Sequence, residues 1–190
     1  MQTMITLNQE IDSSRAGEVV LPEFAGCPDS HWYAVYTCAN HEKQVASQFL
    51  ERNIEHFLPL YESTRRWADR KKRVQLPLFD GYVFVRIALR DRLSVLRVPS
   101  VVKLIGFNGQ PAAVSSGEME FLKNTLLPEL RAEPHPYLTA GRRVRIVRGA
   151  LQGAEGILIR KKKASRVVVC MDLIARAASV EVETADVERI

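Results

Sequence analysis

The sequence predicts an α+β fold in which helices pack on a mostly antiparallel sheet, followed by a small β-barrel. Three observations carry this prediction. Strand and helix signals alternate over residues 32–126, a basic strand with three spaced glycines begins at 141, and a proline-bearing stretch divides the two regions.

Each element has its own signal. Trp32-Tyr33-Ala34-Val35-Tyr36-Thr37 is a strand by its aromatic and β-branched content. Asn40 is an expected N-cap, and Val45, Phe49 and Leu50 recur at helical spacing through Asn53. Residues 54–61 are expected as a second strand, and the run from Arg65 to Arg73 as the tip of a projecting loop or hairpin. In Tyr82-Val83-Phe84-Val85-Arg86-Ile87, alternation sets Tyr82 and Phe84 on one face and Val83 and Val85 on the other. A short helix is expected over 90–97 and a strand over 101–107. Ser115-Ser116-Gly117-Glu118 then reads as a capping box opening a helix with Met119, Leu122 and Leu126 in register. Residues 131–138, with Pro134 and Pro136, are expected as a linker. Beyond it Val144 and Ile146 share a face opposite Arg143 and Arg145. Gly149, Gly153 and Gly156 fit a loop that enters positive φ and approaches a neighbouring backbone. Val167-Val168-Val169 is a further strand.

Composition bounds the chemistry. The 190 residues carry a net charge of only +5, but residues 1–31 hold five acids against Arg15, 65–73 six bases against Asp69, and 142–166 nine bases against Glu155. Such local basic potential suits a phosphate-rich partner, or alternatively a solvated surface. Cys27, Cys38 and Cys170 are odd in number and far apart, which argues for a reducing compartment. With His31, His41, His56 and His135 scattered among them, neither a metal site nor a cofactor is expected. Neither a signal peptide nor a membrane span is evident, so a cytoplasmic protein with a flexible leader over 1–31 is expected. Cys38 and His41 lack a third group to orient the histidine, and the glycines precede a strand rather than a helix, so no enzyme is expected.

Taken in order, Trp32–Thr37 with Glu42-Lys43, Pro77-Leu78-Phe79-Asp80-Gly81-Tyr82-Val83-Phe84-Val85, Arg97-Val98-Pro99-Ser100-Val101 and the glycine-spaced stretch 141–156 resemble the NusG family of transcription factors. The resemblance implies an N-terminal NGN-type domain over 32–130 and an SH3-like KOW β-barrel over 139–190. It also implies a factor that rides on RNA polymerase. Docking on the largest subunit would use Tyr36, Phe79, Tyr82 and Phe84, with Met119 and Leu122 from the last helix; the alternative is that Tyr82 and Phe84 are simply core aromatics under a helix. The barrel would recruit Rho or a ribosomal protein through the turn holding Gly149, Leu151, Gly153 and Gly156. The basic run Arg65, Arg66, Arg70, Lys71, Lys72 and Arg73, with Trp67 as a stacking surface, would hold a DNA or RNA backbone beside the docked domain. Two departures stand out: Asp80 where the family usually has proline, and Leu151 where an aromatic is common. They point to a specialised paralogue of the RfaH or capsule-operon antiterminator type. The competing reading is a KOW-type ribosomal or RNA-binding protein, from which an aromatic docking face in the N-terminal half would distinguish this chain.

Overall fold

The first strand, β1 (His31–Thr37), alternates so that Trp32 and Ala34 leave on one side and Tyr33 and Val35 on the other, and both sides are buried. The computed structural model describes residues 29–67, 70–125, 132–138, 141–161 and 164–190. The expected leader lies outside the described residues but for its last three, and so do Leu126, Lys162 and Lys163.

Helix α1 (Glu42–Glu51) follows β1, with His41 rather than Asn40 as its N-cap; Asn40 lies in the preceding turn at φ 62. The helix ends because Asn53 adopts φ 54. The Ile54 amide donates to the Phe49 carbonyl at 2.8 Å and the Asn53 amide to Leu50 at 3.0 Å, a Schellman closure with asparagine in the left-handed position. The strand expected over 54–61 is divided: β2 (His56–Phe57) stops before Pro59, and β3 (Leu60–Trp67) forms a separate hairpin with β4 (Arg70–Pro77). After β5 (Tyr82–Ile87) come a 3-10 turn, α2 (Arg92–Leu96) and β6 (Val101–Leu104). A small hairpin of β7 (Gly106–Phe107) and β8 (Gln110–Pro111) leads to β9 (Ala113–Val114). Helix α3 (Ser116–Thr125) opens on the expected capping box. Its Glu118 amide donates to Ser115 Oγ at 3.2 Å, while the Ser115 amide donates to Glu118 Oε2 at 3.1 Å.

These elements make an antiparallel sheet ordered β2-β5-β1-β6, with β9 also pairing β1. One face packs Tyr33, Val35, Val83, Val85 and Ile87 against Val45 and Phe49 of α1 and Val95 of α2. The other carries Trp32, Ala34, Phe57 and Phe84 toward Met119, Phe121 and Leu122 of α3.

The second half is a β-rich domain of six antiparallel strands, ordered β10-β14-β13-β12-β11-β15. These are β10 (Glu133–His135), β11 (Arg142–Ile146), β12 (Glu155–Lys161), β13 (Ala164–Met171), β14 (Arg176–Val182) and β15 (Val187–Arg189). The stretch expected as a plain linker is therefore corrected: three of its residues form a strand paired with β14. Pro134 is tolerated because β10 lies at the sheet's end, where one side of the strand needs no donor. Val144, Ile146, Leu151, Val167, Val169, Met171 and Val180 belong to the same continuous apolar cluster as Trp32, Phe84 and α3, so the two halves share a core.

Candidate docking site

Four of the expected docking residues, Tyr36, Phe79, Tyr82 and Phe84, gather around one turn. Phe79-Asp80-Gly81-Tyr82 is closed by the Tyr82 amide donating to the Phe79 carbonyl at 3.2 Å, with Gly81 third at φ 82, the arrangement of a type II turn. Registering β1 against β5 sets Tyr36 opposite Tyr82, and their rings pair at 5.5 Å. Phe79 and Phe84 meet edge-on at 6.3 Å. Phe79, Phe84, Met119 and Leu122 are all buried, whereas Tyr82 is half-buried and Tyr36 is 39% exposed. Of the six expected residues, then, two form an accessible aromatic pair and four lie in the core beneath it. The Arg176 guanidinium, from β14 of the second half, lies over the Tyr82 ring at 5.7 Å.

Helix α3 is enclosed from both directions. Met119 and Leu122 join the sheet face, while Phe121, on another side of the helix, lines a crevice of about 430 Å³ with Leu151, Gln152, Gly153, Val169 and Cys170 of the second half. Sequence reading missed Phe121 because it falls off the Met119–Leu122 stripe. A bulky apolar residue off the stripe is the available signal that a helix has two buried faces.

The glycine turn behaves as its spacing implied. Gly149 and Gly153 take φ 84 and 89, and a Cβ on Gly156 would come within 2.5 Å of the Val168 carbonyl oxygen. Leu151 within this turn is only 5% exposed. The neighbouring basic strand is less free than its composition implied. Arg145 donates to Glu155 Oε1 at 2.6 Å and Arg143 lies 3.6 Å from Oε2. The Arg145 hydrogen bond holds the Glu155 carboxyl below the usual range, and the same contact raises the Arg145 guanidinium.

The residues expected to contact nucleic acid fall on the hairpin of β3 and β4. Register pairs Arg65 with Lys72, Arg66 with Lys71 and Trp67 with Arg70, so the bases concentrate toward its tip. The side chains of Arg65, Arg66, Arg70 and Lys71 lie outside what the structure describes. Lys72 is exposed, and Arg73 reaches Glu62 at 3.2 Å in an exposed pair of small energetic worth. At the hairpin base, Lys43 Nζ donates to the Gln75 carbonyl at 2.7 Å and ties β4 to α1.

Among the described residues no cluster of His, Cys, Asp and Glu is arranged to hold a metal, and no helix is long and apolar enough to cross a membrane. Residues 30–123 match the family model described as "Transcription termination factor nusG". The chain is 27% identical over 178 residues to the transcription termination/antitermination protein NusG of Vibrio parahaemolyticus, covering 86% of this chain and 97% of that protein. It is 28% identical to its counterpart in Haemophilus influenzae, with 84% and 94% covered. A solved structure of Thermotoga maritima NusG, described as one of domain interaction, superposes with a TM-score of 0.52 at 23% identity, over 85% of this chain and 97% of that one. The family model falls on the half that carries the aromatic turn, the relatives extend the match through the β-rich half, and these proteins are transcription factors rather than enzymes; over both halves the chain is similar to the NusG family.

Proposed function

We propose that the chain is a bacterial transcription elongation factor that binds RNA polymerase in the cytoplasm and modulates pausing, termination or antitermination, as a specialised antiterminator. The observation that carries the docking part is the Tyr36–Tyr82 pair, an accessible aromatic surface at the edge of a large apolar cluster. The relatives, each a transcription termination/antitermination protein, support the process. Docking falls to residues 32–130, on the largest polymerase subunit. The hairpin run Arg65–Arg73 lies along a DNA or RNA backbone, and the β-rich half over 139–190 recruits a second partner, a ribosomal protein or Rho. Leu151 supports the specialised reading twice over: it offers no aromatic anchor, and it is buried beside α3. Because the second half packs on the cluster that holds Phe79, Phe84, Met119 and Leu122, full engagement requires it to move away.

The test is the full-length chain with Tyr36→Ala and Tyr82→Ala together. Polymerase binding should weaken by at least about 2 kcal/mol, roughly thirtyfold, with the fold retained. A folded double variant that binds as well as the parent removes this surface from the reading.

A further inference from the structure

We propose that Glu42 is the positioning residue of the docking face: its buried carboxylate holds the Phe79–Tyr82 turn in the geometry that sets Tyr82 beside Tyr36. The inference rests on the docking reading and adds a residue outside the aromatic pair.

A type II turn is favoured by proline at its second position, because the ring fixes φ near the required value. Here that position is Asp80, which fixes nothing. The turn's own hydrogen bond uses the Tyr82 amide and leaves the Gly81 amide to find another acceptor in a buried place. Glu42, 4% exposed at the start of α1, supplies it: Oε1 accepts the Gly81 N–H at 2.7 Å. A carboxylate accepting from a backbone amide makes a stronger bond than a neutral carbonyl does. The Gly81 carbonyl in turn accepts from the Thr37 amide at 2.9 Å, so both backbone groups of this glycine are anchored to the β1–α1 segment. The anchoring is close. A Cβ on Gly81 would lie 3.1 Å from Tyr36 Cε2, so the turn rests on the ring whose partner it presents. Any relaxation of the turn therefore moves Tyr82 relative to Tyr36.

The account makes Glu42 and a proline at position 80 interchangeable, which a merely structural carboxylate would not be. Four full-length chains decide it by affinity for polymerase elongation complexes: the parent, Glu42→Gln, Glu42→Leu, and Glu42→Leu with Asp80→Pro. Glu42→Gln keeps an acceptor oxygen and should bind as the parent does. Glu42→Leu should bind about tenfold more weakly, the scale expected from unpairing one buried donor, and Asp80→Pro should restore most of that loss. If Glu42→Leu fails to fold alone but folds and binds with Asp80→Pro, the proposal stands. If the double variant fails to fold or remains weak, the carboxylate serves the core and the proposal is overturned. Tyr82→Ala run alongside separates the two readings, since weakened binding there with undiminished binding of Glu42→Leu rejects the role of Glu42 and leaves docking intact. Should the parent itself not bind, docking is rejected instead. Amide exchange at Gly81 in the free chain then decides whether Glu42 holds the turn: faster exchange in Glu42→Leu than in Glu42→Gln supports it, and equal rates overturn it.

Discussion

His56 is the side chain through which this fold should feel mild acid. It is buried against Phe49, with ring centroids 5.9 Å apart, and burial lowers its pKa below 6.5 while the Ile54 carbonyl at 2.9 Å opposes the shift in part. The folded chain thus resists a proton that the unfolded chain accepts. The stability that the neutral His56 contributes is present above about pH 6.5 and declines below it as the unfolded state gains the proton, with a slope of at most about 1.4 kcal/mol per pH unit. Urea titrations of His56→Gln between pH 7.5 and 5 should show that slope flattened; an unchanged slope assigns the acid sensitivity elsewhere. Gly156→Ala tests the second sheet in the same way. Its Cβ meets backbone, the Val168 carbonyl, which cannot step aside, so a loss of about 1–3 kcal/mol is expected in thermal unfolding. A neutral result would mean the strands can separate there without cost. Gly156 was legible in sequence because glycine spacing marks backbone demands directly. Glu42 was visible only as part of a motif, because a charged residue opening a helix reads as ordinary until the turn 39 positions away is seen to need its oxygen.

Elements formed where local pattern and tertiary demand agreed. β5 and the capping box of α3 are fixed by alternation and by a four-residue signature, both short-range, and were legible. β10 was not, because Glu133-Pro134-His135 carries a proline and no apolar run, and it becomes a strand only through its partner β14. Arg166 secures it. This guanidinium is nearly buried, pairs with Glu133 on β10, donates to Ser179 Oγ at 3.3 Å and lies 3.8 Å from Glu181. Arg166→Ala leaves those groups without their cation and should destabilise the second half by about 3 kcal/mol. Glu133→Gln keeps an oxygen that accepts from the buried guanidinium and leaves Glu181 to balance its charge, so it should cost less than Arg166→Ala. Equal effects in chemical denaturation would contradict the arrangement. The β3–β4 hairpin gives a different test. Replacing Arg70, Lys71, Lys72 and Arg73 with glutamine should flatten the salt dependence of nucleic-acid binding by about one per lost phosphate contact. An unaltered slope returns the hairpin to a solvated surface.

Across the whole molecule the decisive feature is that two halves with separate sheets share one apolar cluster, Trp32, Phe84 and Leu122 on one side continuing into Val144, Leu151 and Val169 on the other. The two-part organisation was legible, since an aromatic α+β half and a basic β half differ in pattern. Their packing was not, because a sequence marks which residues are apolar without saying which other element covers them; Phe121 and Leu151 each carry a side chain that only the assembled chain accounts for. The central claim is that the first half docks on polymerase while the second covers part of its face. The direct measurement compares the affinity of the full-length chain for polymerase elongation complexes with that of residues 30–131 and of residues 132–190, a division that keeps β10 with its sheet. The account predicts that 30–131 binds at least about tenfold more tightly than the whole chain, in line with release of a closed population of roughly nine in ten, and that 132–190 does not bind. Tight binding by 132–190, or none by a folded 30–131, would contradict it.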